Sequence, residues 1–533
     1  MTKPTYQPPL LGVDAAASSP APLRPAPDFG PGDRLRGWLV TLLLTGIAAI
    51  TRFVNLDRPT DGGTPTFDEK YYAHQAWEMV GNGGVEDNPA YGLIVHPPVG
   101  KQLIALGELI YGYTPVGWRF SAAIAGTVLV LLVIRITRRM TRSTMIGAFA
   151  GLLLICDGTT FVASRHGMLD IFQALFVTAA FGCLIVDRDE VRYRLARADL
   201  EGRIARSPYG PRLGVRWWRF GAGVLLGLAC GTKWSGIYFV VAFGLLSVCF
   251  DIAARRAYRM PRPWVGTAVR DIGPALYAIV LIPVLVYLAS YGAWFASEDG
   301  YDRYAAGNLY AGANPIGRGG FWSWMPDALR ALWHNQGQSL SFHKGLTNSA
   351  GNHHPWESKP WSWPMSLRPM LYHYAETGVT GCGRPQCVQA VMLIGTPALW
   401  WLSLPMLAWA SWRSATRRDW RYAALLVGYC AGFLPWFLDL DRQMYYFYAV
   451  PMAPFLVMGI ALVLAGILGP APYLDADGRL FLVPSKRQDL KLALVCLYSG
   501  LVVANFIWLW PILTGHPITV DNWHDHLWLP SWR

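Results

Sequence analysis

Charged residues are scarce in this chain. They make up 15% of its 533 residues, where soluble domains carry about a quarter, so a string of soluble domains is excluded and a polytopic membrane protein fits. Cysteine is sparse too: there are eight, and six of them (Cys156, Cys183, Cys230, Cys249, Cys430, Cys496) sit in or beside apolar runs, where they read as small packing residues. No glycine-rich nucleotide loop and no Asp-x-Asp in a usable context occurs. The helical His-Glu-x-x-His spacing of a metal site is missing, and so is the inverted repeat of a transporter.

What is abundant points the same way. Hydrophobic residues make up 53% of the chain, and 25 Trp and 25 Tyr suit interfacial belts or a sugar-handling surface. The net charge of +12 comes from arginines gathered in short gaps between apolar segments. That is the positive-inside pattern of cytoplasmic loops, and it argues against nucleic acid as a partner. Residues 1–32, rich in Pro and Ala, are expected to be a disordered cytoplasmic tail, with one membrane domain over 33–533.

Eleven spans are expected, near 37–55, 119–136, 144–163, 168–186, 219–232, 235–252, 272–295, 389–411, 422–438, 444–468 and 490–513. This puts the N-terminus in the cytoplasm, the C-terminus outside, and two long loops, 56–118 and 296–388, on the outer face. Short interfacial helices are expected in both, one with Leu103, Leu106 and Ile110 on a shared face and one around Leu329, Leu332, Trp333 and Gln336.

The loop 56–118 holds the first candidate site, Phe67-Asp68-Glu69-Lys70-Tyr71-Tyr72. Adjacent helical residues point about 100° apart, so one carboxylate can serve as a general base while the other holds a neighbour or a metal. Arg119, Arg165 and Lys233 are expected at the outer face, where each needs an anionic partner. Asp170 is the partner expected for Arg165, and Lys101 is placed either on Asp68 or Glu69 or on a ligand. His96 is read as a phosphate or sugar ligand, or else as a structural turn histidine. His353, His354 and Glu357 lack metal spacing; Trp356, Trp361 and Trp363 beside them read as an aromatic lid or an interfacial belt. Arg442, Tyr445 and Tyr446 are candidates to complete the pocket, and Cys382 and Cys387 form a disulfide if their loop is outside the cytoplasm.

Several strings occur in one order: Phe67-Asp-Glu-Lys-Tyr-Tyr-Ala73, His96-Pro-Pro-Val-Gly-Lys101, Trp118-Arg-Phe-Ser-Ala122, Ser164-Arg-His-Gly-Met-Leu-Asp170, Gly231-Thr-Lys-Trp-Ser-Gly236 and His354-Pro-Trp-Glu-Ser-Lys-Pro-Trp-Ser-Trp-Pro364. Together they resemble the protein O-mannosyltransferases. The resemblance implies an all-α GT-C type glycosyltransferase in the plasma membrane. It would move mannose from polyprenyl-phosphate-mannose to Ser or Thr of secreted or membrane acceptor proteins, with its active site on the outer face. Asp68 and Glu69 map onto the family's catalytic pair, with Asp68 as the base. Arg119, Lys233, Arg165, His96, Lys101, Arg442 and Tyr445 are then the donor-binding set, and His354, Trp356, Glu357, Trp361 and Trp363 the loop that covers sugar and acceptor.

The family alone suggests a partnership with the protein-export channel. No metal site or cofactor is expected, and divalent-metal dependence stays open. Eukaryotic members carry a β-trefoil insert for which residues 296–388 are too few, so the shorter bacterial form is the one resembled. Independently, a hydroxyl nucleophile needs a positioned base, and one carboxylate suffices for an inverting displacement. A lipid phosphate leaving group needs cations, which the outer-face Arg and Lys residues supply. Two other readings are a GT-C transferase of aminoarabinose or arabinan and, more distantly, a transporter.

Overall fold

A computed structural model describes residues 31–86, 94–204, 206–306, 324–469, 473–474, 480–481 and 488–533. The expected tail is therefore almost wholly outside the described residues, and the first helix, α1 (Pro31–Phe53), begins at its end. Among the described residues eight helices are long and apolar enough to cross a membrane. They are Arg34–Phe53, Pro115–Thr141, Leu169–Leu200, Gly236–Ala257, Ile272–Ser290, Trp420–Leu438, Tyr446–Leu468 and Gln488–Thr514. Each falls on one of the expected spans.

The other three expected spans differ. The segment 144–163 is two helices, Thr144–Ile155 and Gly158–Ala163. The break is Asp157, whose carboxylate accepts from Thr160 N at 2.9 Å to start the second helix and from the buried Trp400 indole at 2.7 Å. The segment 219–232 is a single helix of 16 residues, Trp217–Thr232, short for a perpendicular crossing at 1.5 Å per residue. The segment 389–411 starts as a strand: Cys387–Leu393 pairs on one side with Met370–Ala375 and on the other with Ile518–Thr519, and the helix Ser403–Arg417 follows later. We label the strands β1 (Met370–Ala375) and β2 (Cys387–Leu393).

Local sequence sets the elements around the first loop. Next in order are α2 (Glu69–Gly81), α3 (Val99–Tyr111) and α4 (Pro115–Thr141). α3 and the helix Asp327–Gly345 are the two expected helices of the outer loops. α4 starts with Thr114, whose hydroxyl accepts from Gly117 N at 3.1 Å, and with Pro115 in the first turn, where its missing N–H costs nothing. Close helix approach depends on small residues. A Cβ on Gly223 would lie 1.8 Å from Ala278 O and one on Gly227 2.6 Å from Val286 Cβ, so Trp217–Thr232 packs directly on Ile272–Ser290.

At the arginine-rich end, Arg216 and Arg219 bond Asp187 and Asp251, while Arg255 is bidentate to Asp271. All six groups are buried, so these pairs tie four helices together, Leu169–Leu200, Trp217–Thr232, Gly236–Ala257 and Ile272–Ser290.

Candidate active site

The two adjacent acids end in opposite surroundings. Phe67 has φ +50°, in the left-handed region that a bulky residue rarely adopts, and α2 begins immediately after it. The Phe67 ring is held by stacking on Tyr372, with centroids 4.7 Å apart and planes 13° apart. Glu69, first residue of α2, is fully buried. One of its oxygens accepts from Arg119 Nε at 2.8 Å and Gly167 N at 2.7 Å. The other accepts from Arg119 Nη2 at 2.8 Å, Thr66 N at 3.1 Å and the Thr66 hydroxyl at 2.9 Å. This reach back of three residues satisfies both the amide and the hydroxyl of Thr66 just before the helix. Arg119 spends its remaining Nη1 on Leu56 O at 3.1 Å. Burial opposes the charge on Glu69, yet the Arg119 guanidinium and these amides hold its carboxyl down at about 2.

Asp68 has none of this. Its carboxylate caps no amide of α2, accepts no hydrogen bond among the described residues, and is only half-buried. Burial and the nearby Asp170 push its pKa up to about 6, against Lys233 and Lys70. Lys233 lies beside it and is itself taken by Asp170, with Nζ 2.8 Å from both carboxylate oxygens. The Lys233 ammonium also lies 5.1 Å from the Phe447 ring and 5.6 Å from the Tyr448 ring.

Aromatic rings wall the space around this ion pair. Tyr72 meets His96 at 5.9 Å, and His96 meets His343 at 5.4 Å. Arg442 Nη2 lies 3.3 Å from His343 Nδ1. Tyr445 lies parallel to Phe447 at 5.2 Å and under His354 at 5.5 Å. Below Asp170 a cavity between helices is lined by Gln173, Ser235, Tyr238, Trp436 and Tyr448.

Sequence comparison identifies the architecture. Residues 110–296 match the family model for dolichyl-phosphate-mannose-protein mannosyltransferase, and residues 328–532 match the C-terminal four-transmembrane region of protein-O-mannosyltransferase. The polyprenol-phosphate-mannose–protein mannosyltransferase of Mycobacterium tuberculosis is 60% identical over 515 residues, covering 97% of this chain and 95% of that protein. The chain belongs to the protein O-mannosyltransferase family. The like-named Corynebacterium glutamicum protein is 41% identical over 517 residues, covering 96% of each. The solved S. cerevisiae protein O-mannosyltransferase Pmt1-Pmt2 complex bound to the sugar donor superposes with a TM-score of 0.68 at 14% identity, over 93% of both chains. The fold is of the GT-C type, in a multi-pass membrane glycosyltransferase.

Not every residue expected to serve a protein O-mannosyltransferase's donor stands free to do so. Arg119 is consumed by Glu69 and Leu56 O, and acts as an organiser. Arg165 binds carbonyls at and just past the end of α1: Nη1 donates to Thr51, Arg52 and Val54 O at 3.2, 2.9 and 2.8 Å, and Nη2 to Asn55 O at 2.9 Å. Asp170 pairs with Lys233, not with Arg165 as expected. Lys101 is buried against Glu86, away from both Asp68 and Glu69. Tyr446 turns into the core, with its hydroxyl 3.1 Å from Thr159 Oγ1.

The tryptophan loop divides. Trp363 is buried and its indole donates to Ser358 at 2.9 Å; Trp356 lies under Arg368 at 4.4 Å; Trp361 is 59% exposed. Glu357 accepts from Asn348 at 2.8 Å, and Asn348 in turn meets Lys359. Cys382 and Cys387 are joined by a disulfide. Among the described residues no three His, Cys, Asp or Glu side chains gather as a metal set. Sequence reasoning missed His343, Tyr372 and Tyr448, which stand in no motif, and a tyrosine among 25 carries no positional signal.

Proposed function

We propose that this chain transfers mannose, with inversion, from polyprenyl-phosphate-mannose to Ser and Thr hydroxyls of exported proteins, with Asp68 as general base. The observation that carries this reading is the contrast within the acidic pair. Glu69 is ionised and saturated, whereas Asp68 is unpartnered, raised to about 6 and beside Lys233. A base with that pKa is ionised at neutral pH yet strong enough to draw the proton from an attacking hydroxyl. Lys233, and Arg442 beside His343, supply positive charge for the departing lipid phosphate. With both Glu69 oxygens filled, a single free carboxylate remains, and the reaction is proposed to need no bound metal.

The names of the high-identity relatives support donor and protein acceptor alike. The arginine pattern supports the proposed topology of eleven spans, cytoplasmic N-terminus, outer C-terminus and outer-face site. A neighbouring protein-export channel is the proposed source of unfolded acceptors.

The direct test is membranes containing the protein, labelled polyprenyl-phosphate-mannose and a Ser/Thr-rich peptide. Label is expected on the peptide, unchanged by a chelator; transfer only to lipid or glycan acceptors would overturn the reading. The pH profile follows from the same geometry. The active form of Asp68 is ionised, so kcat/KM is expected to fall as pH drops through about 6, by about a decade per unit below it. A profile flat from pH 7 to 4.5 would remove Asp68 from the base role.

A further inference from the structure

The sheet of the outer segment delivers one side chain to the acidic pair from three hundred residues downstream. In β1, Leu371 pairs with Met392 and His373 with Val391, so Tyr372 is an extra residue with no partner of its own. Such a bulge re-aims a side chain, and bulges recur beside active sites. Here it sends the Tyr372 ring into a slot made by the residues that flank the two carboxylates. Phe67, directly before Asp68, stacks on it at 4.7 Å; His166, directly before the amide that bonds Glu69, meets it edge-on at 5.3 Å.

The ring is 4% exposed, and its hydroxyl is buried with no hydrogen-bond partner. Native proteins seldom leave a buried hydroxyl unpaired, and such an exception calls for a functional account. Burial and the neighbouring Asp170, Asp68 and Glu69 hold the phenol well above its ordinary pKa, so it remains an O–H donor. Of the neighbouring carboxylates, Glu69 accepts five bonds and Asp170 holds Lys233, while Asp68, which accepts none among the described residues, makes no hydrogen bond to the phenol.

We propose that Tyr372 is a donor-substrate contact, its Oη giving a hydrogen bond to an oxygen of the bound mannosyl phosphate. This rests on the reading of the Asp68 pocket as the transfer site. A sugar phosphate is rich in acceptor oxygens and brings to the pocket what the phenol lacks.

Tyr372→Phe keeps the ring and its stacking while deleting only the O–H. In membranes with labelled donor and peptide, KM for the donor is expected to rise about tenfold with KM for the peptide unchanged. Wild-type constants, or a rise in KM for the peptide alone, would overturn the proposal. Asp68→Asn is run alongside. If that variant keeps transferring, the pocket assignment itself has failed; if it is inactive and Tyr372→Phe is normal, only the Tyr372 inference has. Should Tyr372→Phe fail to accumulate, 3-fluorotyrosine placed at 372 supplies a 19F signal expected to move on adding donor. A signal that moves only with peptide, or not at all, counts against the proposal.

Discussion

Asp68→Ala is expected to lower transfer by about 10²–10⁴-fold while leaving the protein folded, the range that a positioned general base contributes. The reason for the second half of that statement is structural. The Asp68 carboxylate caps no helix amide and accepts no hydrogen bond among the described residues, so its removal leaves no group stranded. Removing it also relieves the burial that pushes its pKa up to about 6. Asp68→Asn should behave alike, since an amide of the same shape cannot take the proton. The check is initial rate in membranes together with melting temperature of the purified variant. Full transfer by either variant would refute Asp68 as base.

The second large effect is of a different kind. Glu69→Ala and Arg119→Ala are each expected to cost about 3–5 kcal/mol of stability, because each leaves a buried charge without its partner. Arg119→Lys is not expected to rescue. One ammonium cannot reproduce two parallel bonds to Glu69 and a third to Leu56 O. The double variant should lose less than the sum of the two single ones, since each residue is the other's reason for being charged. Yield from membranes and denaturation midpoint read the effect. If Glu69→Ala melts like wild type and loses only rate, Glu69 belongs to the chemistry and the division between the two acids is wrong.

The acidic pair was legible in the sequence because it sits in the string Phe67–Ala73, followed by His96–Lys101, which sets it apart from the six other acids of the same loop. The division of labour within it was not, because it depends on where Arg119 and Gly167 arrive. The same limit misdirected Arg165 and Asp170. A cation at a span's mouth announces that it needs oxygen atoms, but not whether a ligand, a carboxylate or the end of α1 will provide them. Hydropathy found the eight long helices for a simple reason: length and apolarity are the signal itself.

It failed at Cys387–Leu393, a strand buried on nearly every residue, since without alternation a short apolar run reads as helix. It also failed at Asp157, whose role as a cap becomes visible only once Trp400 stands beside it. Tyr372 was the least accessible of all, because a bulge is a relation between two strands.

The order in which the chain is made now acquires a meaning. Asp68, Arg119, Asp170 and Lys233 all leave the ribosome in the first half of synthesis. The strand carrying Tyr372 is joined by β2, and β2 is closed on its far edge by Ile518–Thr519, far downstream of all four. A growing chain therefore carries these four residues into the membrane before the sheet that completes their surroundings can pair. Domains generally form as units while synthesis proceeds at about 5–20 residues per second, so closure of β2 by Ile518–Thr519 is expected to follow the membrane entry of Asp68, Arg119, Asp170 and Lys233. A chain cut short of Ile518 is accordingly expected to lack the far edge of β2.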